Sequence, residues 1–295
     1  MQIKQLDLPL LSNMIEIKQL LLAAETILAA TNIENSKLDA QLLLLEVLQI
    51  SRAELLLKSE ISAEQATIFN TFVRQRCEHL PIQYITGLAY FRYLTLRVGE
   101  GVLIPRPETE GLVSGVIEKI NTADRPISLV DLGSGSGAIA LSVAYEIPDV
   151  KVTAVENSEA ALIWLRKNVD LIAPQVKIIS ADVNNFALAK KVDFVTANPP
   201  YLPEAEILPK EVAEHEPSVA LRGGVSGMEV PSQFISCAAR LLKNDGHFAI
   251  EHSEDQAELI KIALSDYFTE VTIHYDLADR PRWTSATRNG LEVSK

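Results

Sequence analysis

Cysteine is scarce in this 295-residue chain, and basic residues are outnumbered by acidic ones. The two cysteines, Cys77 and Cys237, lie far apart and match no metal-ligand spacing, which indicates two free thiols in a reducing compartment. The 27 lysines and arginines stand against 39 acidic residues, for a net charge of −12. Broad binding along a phosphate backbone requires clustered cations. We therefore expect a cytoplasmic protein that does not bind nucleic acid directly and holds no metal.

Long uninterrupted apolar runs are also missing. The stretch from Met14 to Ala30 is broken by Glu16, Lys18 and Glu25. It can therefore serve neither as a membrane span nor as the core of a signal peptide, and we expect no membrane association. Met14 also offers an alternative start, which would leave residues 1–13 as a loose extension.

Glycine and proline are absent between Pro9 and Pro81. Leucine and alanine instead recur at intervals of three to four residues, which is typical of amphipathic helices. Ser51 and Ser62 are candidate helix N-caps, and Gln65 stands at the capping-box position for the second. The sequence therefore predicts a small helical bundle over residues 1–80.

Turn residues return after Pro81. Short aromatic and β-branched runs, punctuated by glycines, predict a β-hairpin linker over residues 81–104. The runs are residues 84–86, 90–98 and 102–104, and the glycines are Gly87, Gly99 and Gly101.

Strand and helix patterns alternate over residues 105–295, the predicted third region. Such alternation predicts a fold of the α/β class, with a mostly parallel sheet covered by helices on both faces. No helical pattern separates the last two strands, so we expect them to pair antiparallel. The predicted strands are 127–132, 150–156, 176–181, 192–197, 246–251, 269–275 and 282–288, and the main helices are 137–146, 158–171, 228–242 and 254–264.

A glycine loop follows the first of these strands. Gly133, Gly135 and Gly137 allow a tight turn and a close approach of the backbone to a ligand at the start of a helix. Glu156 ends the next strand, about 20 residues further on, where a carboxylate can accept ribose hydroxyls. Asp182 ends the third strand and could accept from an adenine amine or cap a helix. Taken alone, the glycines could form an ordinary strand-to-helix turn.

The fourth strand is followed by Asn198-Pro199-Pro200-Tyr201. The prolines make this turn rigid and remove competing backbone donors, so it suits a planar NH2 group on an sp² carbon. Ligands of open α/β sheets bind outside the carboxyl ends of the strands. The four strand ends should therefore form one cleft that holds a nucleoside without a pyrophosphate beside a planar amine. This combination suggests S-adenosylmethionine and N-methylation.

These segments resemble class I S-adenosylmethionine methyltransferases that act on planar nitrogens. More narrowly, nearly the whole chain is similar to the bacterial peptide chain release factor glutamine methyltransferases (PrmC, also called HemK). The similar segments are Pro81–Gly87, Leu103–Glu110, the glycine loop, Asn198–Tyr201, and Glu216-Pro217 with Ala220-Leu221. The segment Ile104-Pro105-Arg106-Pro107-Glu108-Thr109-Glu110 is the most specific of them.

The resemblance implies a helical domain that binds substrate, a hairpin linker and a Rossmann-like catalytic domain with a seven-stranded sheet. It also implies transfer of a methyl group from S-adenosylmethionine, leaving S-adenosylhomocysteine. The acceptor would be N5 of the glutamine in the Gly-Gly-Gln motif of release factors, and we expect a monomer. Two positions depart from common family variants: Glu156 stands where Asp is frequent, and Val183 where an aromatic residue is common.

We expect Asn198 Oδ1 and the Pro199 carbonyl to accept the two N–H groups of the substrate amide, with Tyr201 packed against the amide plane. Such acceptors would hold the nitrogen in line and stabilise its developing positive charge. The expected cofactor-binding residues are Asp131, Gly133, Gly135, Gly137, Glu156, Asp182 and Asn198. The expected substrate-binding residues are Asn198, Pro199, Pro200 and Tyr201, with Phe91 and Arg106 as further candidates.

Three alternatives remain at this stage. Exocyclic amines of DNA or RNA could occupy the same turn, although that function predicts a basic face. A ribosomal-protein glutamine could be the acceptor, or the chain could be a degenerate, non-catalytic binding module.

The long segment 202–227 after the turn is expected to cover the substrate, because loops of that length are often lids.

Overall fold

The computed structural model describes residues 14–291, so the predicted loose extension over residues 1–13 lies outside the described residues. The chain divides into two compact units, and the division along the sequence falls between Thr86 and Gly87. Within the described residues, no helix is long and apolar enough to cross a membrane.

The first unit is mainly helical, as its apolar spacing predicts. Its core is made of leucines, isoleucines and Phe69, which the helices bury against one another. A buried ion pair joins Arg76 to Asp39 at 2.7 Å. The elements are β1 (Met14–Glu16), α1 (Ile17–Ala30), α2 (Ser36–Leu48), α3 (Arg52–Leu57), β2 (Glu60–Ser62), α4 (Ala63–Cys77) and α5 (Ile82–Thr86).

Both predicted N-caps of this unit are confirmed. Ser51 and Ser62 each form a full capping box with the residue three positions later. Residues 84–86, expected as a short β run, instead belong to α5, because the amides of Tyr84 and Ile85 bond to the Pro81 carbonyl. The antiparallel pair β1–β2 was not predicted, since each strand has only three residues.

The second unit contains the predicted α/β sheet. Helices on its faces bury a core of strand valines and isoleucines together with the apolar sides of the later helices. The elements are β3 (Leu88–Phe91), β4 (Leu94–Arg97), α6 (Thr109–Asn121), β5 (Ser128–Leu132), α7 (Ala138–Glu146), β6 (Lys151–Glu156), α8 (Glu159–Ile172), β7 (Lys177–Ser180), β8 (Val192–Ala197), β9 (Leu202–Pro203), α9 (Lys210–His215), β10 (Arg222–Gly224), α10 (Glu229–Leu241), β11 (Leu242–Glu251), α11 (Ala257–Leu264), β12 (Phe268–Tyr275) and β13 (Pro281–Arg288).

The large sheet has seven strands in the order β12-β13-β11-β8-β5-β6-β7. The strands β11, β8, β5, β6 and β7 are mutually parallel, and β13 is antiparallel to both of its neighbours. The expected antiparallel pairing of the last two strands is therefore confirmed. The chain runs outward from β5 to β7 and then returns to β8 on the other side of β5. This reversal creates the crevice at which open α/β sheets bind ligands.

The hairpin β3–β4 belongs to the second unit. The Arg92 side chain at its turn pairs with Glu146 at the end of α7, with Nε 2.6 Å from Oε1. Residues 102–104 form no strand, contrary to the expectation from their β-branched side chains. The Ile104 amide instead donates to the Glu216 carboxylate at 3.2 Å.

Candidate active site

A cavity of about 550 Å³ lies over the carboxyl ends of the central strands. All residues that line it fall between Phe91 and Phe234, so it is built within the second unit. The loops after β5, β6, β7 and β8 all contribute to its wall. Four strand ends that the sequence predicts to share a cleft therefore do so.

The glycine loop after β5 has positive φ angles, a backbone conformation that glycine adopts readily and other residues adopt rarely. Gly133, Gly135 and Gly137 have φ angles of +66°, +55° and +91°. The loop is held by the Ser134 amide, which donates to Val155, and by the Gly137 amide, which donates to Ser134. Gly133 and Gly135 line the cavity, whereas Gly137 caps α7 behind it.

Glu156 connects the glycine loop to the end of β6. Its Oε2 accepts the Gly135 amide at 2.8 Å, and its Oε1 accepts the amides of Asn157 and Ser158, each at 2.9 Å. The carboxylate is thus fixed by three backbone donors while it lines the cavity. Oε2 accepts only one of these bonds and therefore retains a lone pair that can accept a hydroxyl group of a ligand.

Asp182 also lines the cavity, two residues beyond the end of β7. Its Oδ1 accepts the Asn184 amide at 2.8 Å and Asn184 Nδ2 at 3.0 Å. No helix follows in residues 183–191, so helix capping is not its role. Val183 lies beside it and presents an aliphatic surface to the cavity.

Asp131 is buried beneath the loop and does not line the cavity. Its Oδ1 accepts the Thr196 hydroxyl at 2.8 Å, and its Oδ2 has no partner within the described residues. Burial raises the pKa of Asp131 to about 7, although the Thr196 and Ser134 hydroxyls oppose the shift. Asp131 therefore supports the floor of the site.

The Asn198 turn follows β8 directly. Asn198 and Pro200 line the cavity, whereas Pro199 is buried and does not. Asn198 Nδ2 donates to the Thr109 hydroxyl at 3.2 Å. This bond uses one of the two N–H groups of the amide and leaves Oδ1 as an acceptor for a ligand.

Tyr201 turns away from the cavity. Its hydroxyl donates to Glu251 Oε1 at 3.3 Å, and its carbonyl accepts Gln256 Nε2 at 2.7 Å. Burial and the negative charge of Glu251 raise the pKa of Tyr201. The expected packing of this ring against a substrate amide thus has no counterpart in the cavity wall, and the ring instead braces the turn from behind.

Phe91 and Arg106 both line the cavity. Phe91 is also part of the buried hairpin core. Arg106 forms an ion pair with Glu216, with Nη2 2.5 Å from Oε1, and the carboxylate is buried while the guanidinium is about a third exposed. Each side chain therefore combines a structural contact with access to the site.

The segment 202–227 folds into β9, α9 and β10, with a 3₁₀ turn at Ser218–Ala220. Residues 217–220 and Arg222 form part of the cavity wall. Glu216 ties the segment to Arg106 and to the Ile104 amide. The segment that was predicted to cover the substrate therefore forms part of the cavity wall.

The site prediction omitted several residues, among them Thr109 and Phe234, which line the cavity, and Glu251, which accepts the Tyr201 hydroxyl behind it. Phe234 faces the cavity from α10, and nothing in its local pattern distinguishes it from other core positions. Glu251 did carry a signal, because it ends β11 as Glu156 ends β6. No group of three or more His, Cys, Asp or Glu side chains suited to a metal ion occurs within residues 14–291.

Substitution of Gly135 and of Gly137 by alanine should have different effects. A Cβ at Gly135 meets nothing within 4 Å, so it enters the cavity, whereas at Gly137 it would lie 2.8 Å from Leu141 and 2.9 Å from Leu165. Each change costs about 1–2 kcal/mol in backbone strain, but only Gly137→Ala adds a clash. We expect Gly135→Ala chiefly to weaken cofactor binding in calorimetry and Gly137→Ala to lower the melting temperature more. Equal loss of stability with unchanged cofactor affinity would contradict this interpretation of the loop.

The sheet order with one reversed strand, the glycine loop and the carboxylate after β6 define a Rossmann-like class I methyltransferase domain. Consistent with this, residues 115–214 match the family model described as methyltransferase small domain. Residues 19–87 match the model described as PrmC N-terminal domain.

Similarity to individual proteins extends over most of the chain. A release factor glutamine methyltransferase from Mycolicibacterium smegmatis is 39% identical over 90% of this chain and 95% of its own length. Proteins of the same name from Bifidobacterium longum and Bacillus anthracis are 37% and 33% identical, over 89% and 83% of this chain and 96% and 90% of their own lengths. The chain belongs to the release factor glutamine methyltransferase family.

Proposed function

We propose that this enzyme transfers the methyl group of S-adenosylmethionine to N5 of the glutamine in the Gly-Gly-Gln motif of peptide chain release factors. The observation that carries the proposal is the position of Asn198. Its Nδ2 donates to Thr109, and it lines a cavity to whose wall the glycine loop and Glu156 also contribute.

The residues around the glycine loop fit S-adenosylmethionine, which supplies an electrophilic methyl group when bound. The open space at Gly135 admits a ligand against the backbone. Glu156 Oε2 would accept a ribose hydroxyl, since the carboxylate is already oriented by three amides. Asp182 would accept an adenine N–H, while Val183 and Phe234 provide apolar walls.

Asn198 would orient the acceptor nitrogen. The lone pair of a carboxamide nitrogen is delocalised into its carbonyl, so the nitrogen attacks only when it is held in line with the methyl carbon. Asn198 Oδ1 would accept one N–H of that amide and stabilise the positive charge that develops on nitrogen. The N-alkylated amide cation that methyl transfer creates is strongly acidic, so it loses its proton to give the neutral N-methyl amide without a strong base. The Pro199 carbonyl remains the proposed second acceptor.

A protein glutamine fits this chain better than a base of DNA or RNA. The net charge is −12, which disfavours contact with a phosphate backbone. The relatives are named for release factors. We propose that residues 1–80 contribute to binding of the release factor, that residues 81–104 link them to the catalytic region from 105 onward, and that the enzyme acts in the cytoplasm as a monomer.

The proposal is tested by incubating the enzyme with S-adenosylmethionine carrying a labelled methyl group. The acceptors are a purified release factor, its Gly-Gly-Gln to Gly-Gly-Ala variant, duplex DNA and ribosomal RNA. We expect label on the unmodified release factor alone. Label on nucleic acid would instead assign Asn198 to an exocyclic base amine.

A further inference from the structure

A buried glutamine connects the Asn198 turn to the end of the segment 202–227. Gln256 lies in a short 3₁₀ turn after β11 and is 4% exposed. Its Nε2 donates to the Tyr201 carbonyl at 2.7 Å and to the Gly227 carbonyl at 3.1 Å. Tyr201 is the last residue of the turn, and Gly227 is the last residue of the segment. One NH2 group therefore connects two parts of the chain that both contribute to the cavity wall.

The orientation of the Gln256 amide is fixed by its partners. A carboxamide carries two N–H donors on its nitrogen and an acceptor oxygen. Both donors are directed at carbonyls, and Oε1 accepts the Ser253 amide at 3.3 Å. The flipped amide would place its oxygen against two carbonyl oxygens and its NH2 group against an N–H group. The connection therefore requires a carboxamide in the observed orientation.

The turn and the segment also contact each other through their backbones. A Cβ at Gly223 would lie 2.7 Å from the Pro200 carbonyl oxygen and 2.8 Å from Tyr201 Cα. These neighbours are backbone atoms, which cannot move aside as the end of a flexible side chain can. Within the segment, β9 pairs with β10. The segment thus returns to the turn from which it starts, and Gln256 holds it there.

We propose that Gln256 is a positioning residue that holds the Asn198 turn and the segment 202–227 together, so that Asn198 and residues 217–220 keep fixed positions in the cavity wall. Gln256 does not line the cavity itself, so it acts on the acceptor only through these groups. The inference rests on the proposed function, in which Asn198 holds the acceptor nitrogen. Methyl transfer requires exact alignment, and a displacement of about 1 Å can lower a rate about 100-fold.

Gln256→Met should lower kcat by about 10- to 100-fold. Methionine has nearly the volume of glutamine but cannot donate, so both carbonyls lose their partner. The KM for the release factor should rise as well, because residues 217–220 belong to the segment that is released. The dissociation constant for S-adenosylmethionine should not change, since none of the bonds that fix Glu156 involves Gln256.

Amide hydrogen exchange distinguishes this local role from a general loss of stability. The Leu202 and Glu204 amides are hydrogen-bonded within the segment 202–227. In Gln256→Met they should exchange roughly 10-fold faster, because the loss of two hydrogen bonds makes local opening easier. The amides of β5 should exchange at an unchanged rate.

Asn168→Leu is the matched control. Asn168 is a fully buried carboxamide whose Nδ2 donates to the Arg97 and Ser136 carbonyls at 2.9 and 2.8 Å, and whose Oδ1 accepts the Arg97 amide at 2.7 Å. It has the same pattern of bonds as Gln256, but none to the turn or to the segment. We expect a similar fall in melting temperature and faster exchange of the Arg97 amide, with exchange at Leu202 and Glu204 unchanged.

Gly227→Ala tests the same connection from its other side. Gly227 has a φ of +82°, and a Cβ there would collide with the Tyr201 carbonyl oxygen and lie 2.7 Å from Gln256 Nε2. The methyl group would therefore separate the donor from its carbonyls. We expect the same loss of kcat and the same faster exchange as in Gln256→Met. The double variant should lose little more than either single variant, because both changes break one connection.

Full kcat in Gln256→Met overturns the inference. So do additive losses in the double variant, or equally faster exchange at Leu202 and Glu204 in Asn168→Leu. The proposed function is tested separately by the acceptor that the unsubstituted enzyme labels. If that acceptor is not the release factor glutamine, the proposed function fails. Hydrogen exchange, which needs no acceptor, and the kcat ratios on the labelled acceptor still decide whether Gln256 positions the turn.

Discussion

Asn198→Ala should retain S-adenosylmethionine binding and lose about 10²–10³-fold in kcat, the effect typical of removing one preorganised polar group from a charge-stabilising site. Alanine removes the side-chain acceptor that directly follows β8 and lines the cavity. It leaves the loop, Glu156 and their hydrogen bonds in place, because none of these bonds involves Asn198. The loss should therefore fall on kcat.

The measurement pairs single-turnover methyl transfer with calorimetric titration of the cofactor. Asn244→Ala provides a matched control, since Asn244 is an exposed asparagine that does not line the cavity. The control should be indistinguishable from the unsubstituted enzyme in both assays. If Asn198→Ala turned over within a few-fold of that enzyme, Asn198 would not be the group that holds the acceptor nitrogen.

Glu156→Gln should show the largest loss of cofactor affinity. The glutamine amide presents an NH2 group to at least one of the three backbone N–H groups that now donate to Glu156. An unmet hydrogen bond to a charged group costs about 1.5–3 kcal/mol, which corresponds to roughly 10- to 100-fold in affinity. The effect combines a displaced glycine loop with a lost acceptor for the ribose.

Glu156→Asp is the matched control for this prediction. It keeps the charge and both acceptor oxygens and shortens the side chain by one methylene. Because the charge and both acceptors are kept, binding should survive far better than in Glu156→Gln. Calorimetric titration measures the cofactor affinity of the unsubstituted enzyme, Glu156→Gln and Glu156→Asp. Equal affinity in Glu156→Gln and the unsubstituted enzyme would remove Glu156 from the cofactor site.

The sequence predicted most of the sheet because local pattern and tertiary role agree there. Buried parallel strands appear as short apolar runs, and each is closed by the residue that lines the cleft, as at Glu156 and Asn198. The same rule, applied to β11, would have identified Glu251 at the end of that strand. Its contact with Tyr201, which lies 50 positions earlier in the chain, has no local signature.

Other differences arose where a tertiary partner outweighed local preference. Residues 102–104 have side chains typical of a strand. The Ile104 amide, however, donates to Glu216 in the segment 202–227. Tyr201 was expected against the substrate because of its ring, yet its hydroxyl bonds to a buried carboxylate on β11. Distances in sequence of 50 to 112 residues separate these partners, so their pairing is visible only in the folded chain.

The central claim is that Asn198 directs a methyl group to a side-chain amide nitrogen of glutamine. The most direct test is acid hydrolysis of release factor labelled by this enzyme from methyl-labelled S-adenosylmethionine. Hydrolysis of an N5-methylated glutamine breaks the amide bond and releases labelled methylamine together with unlabelled glutamate. We predict that the label is recovered as methylamine and that the Gly-Gly-Ala variant yields none. Label that stays on another amino acid, or methylamine released equally from the variant, would contradict the claim.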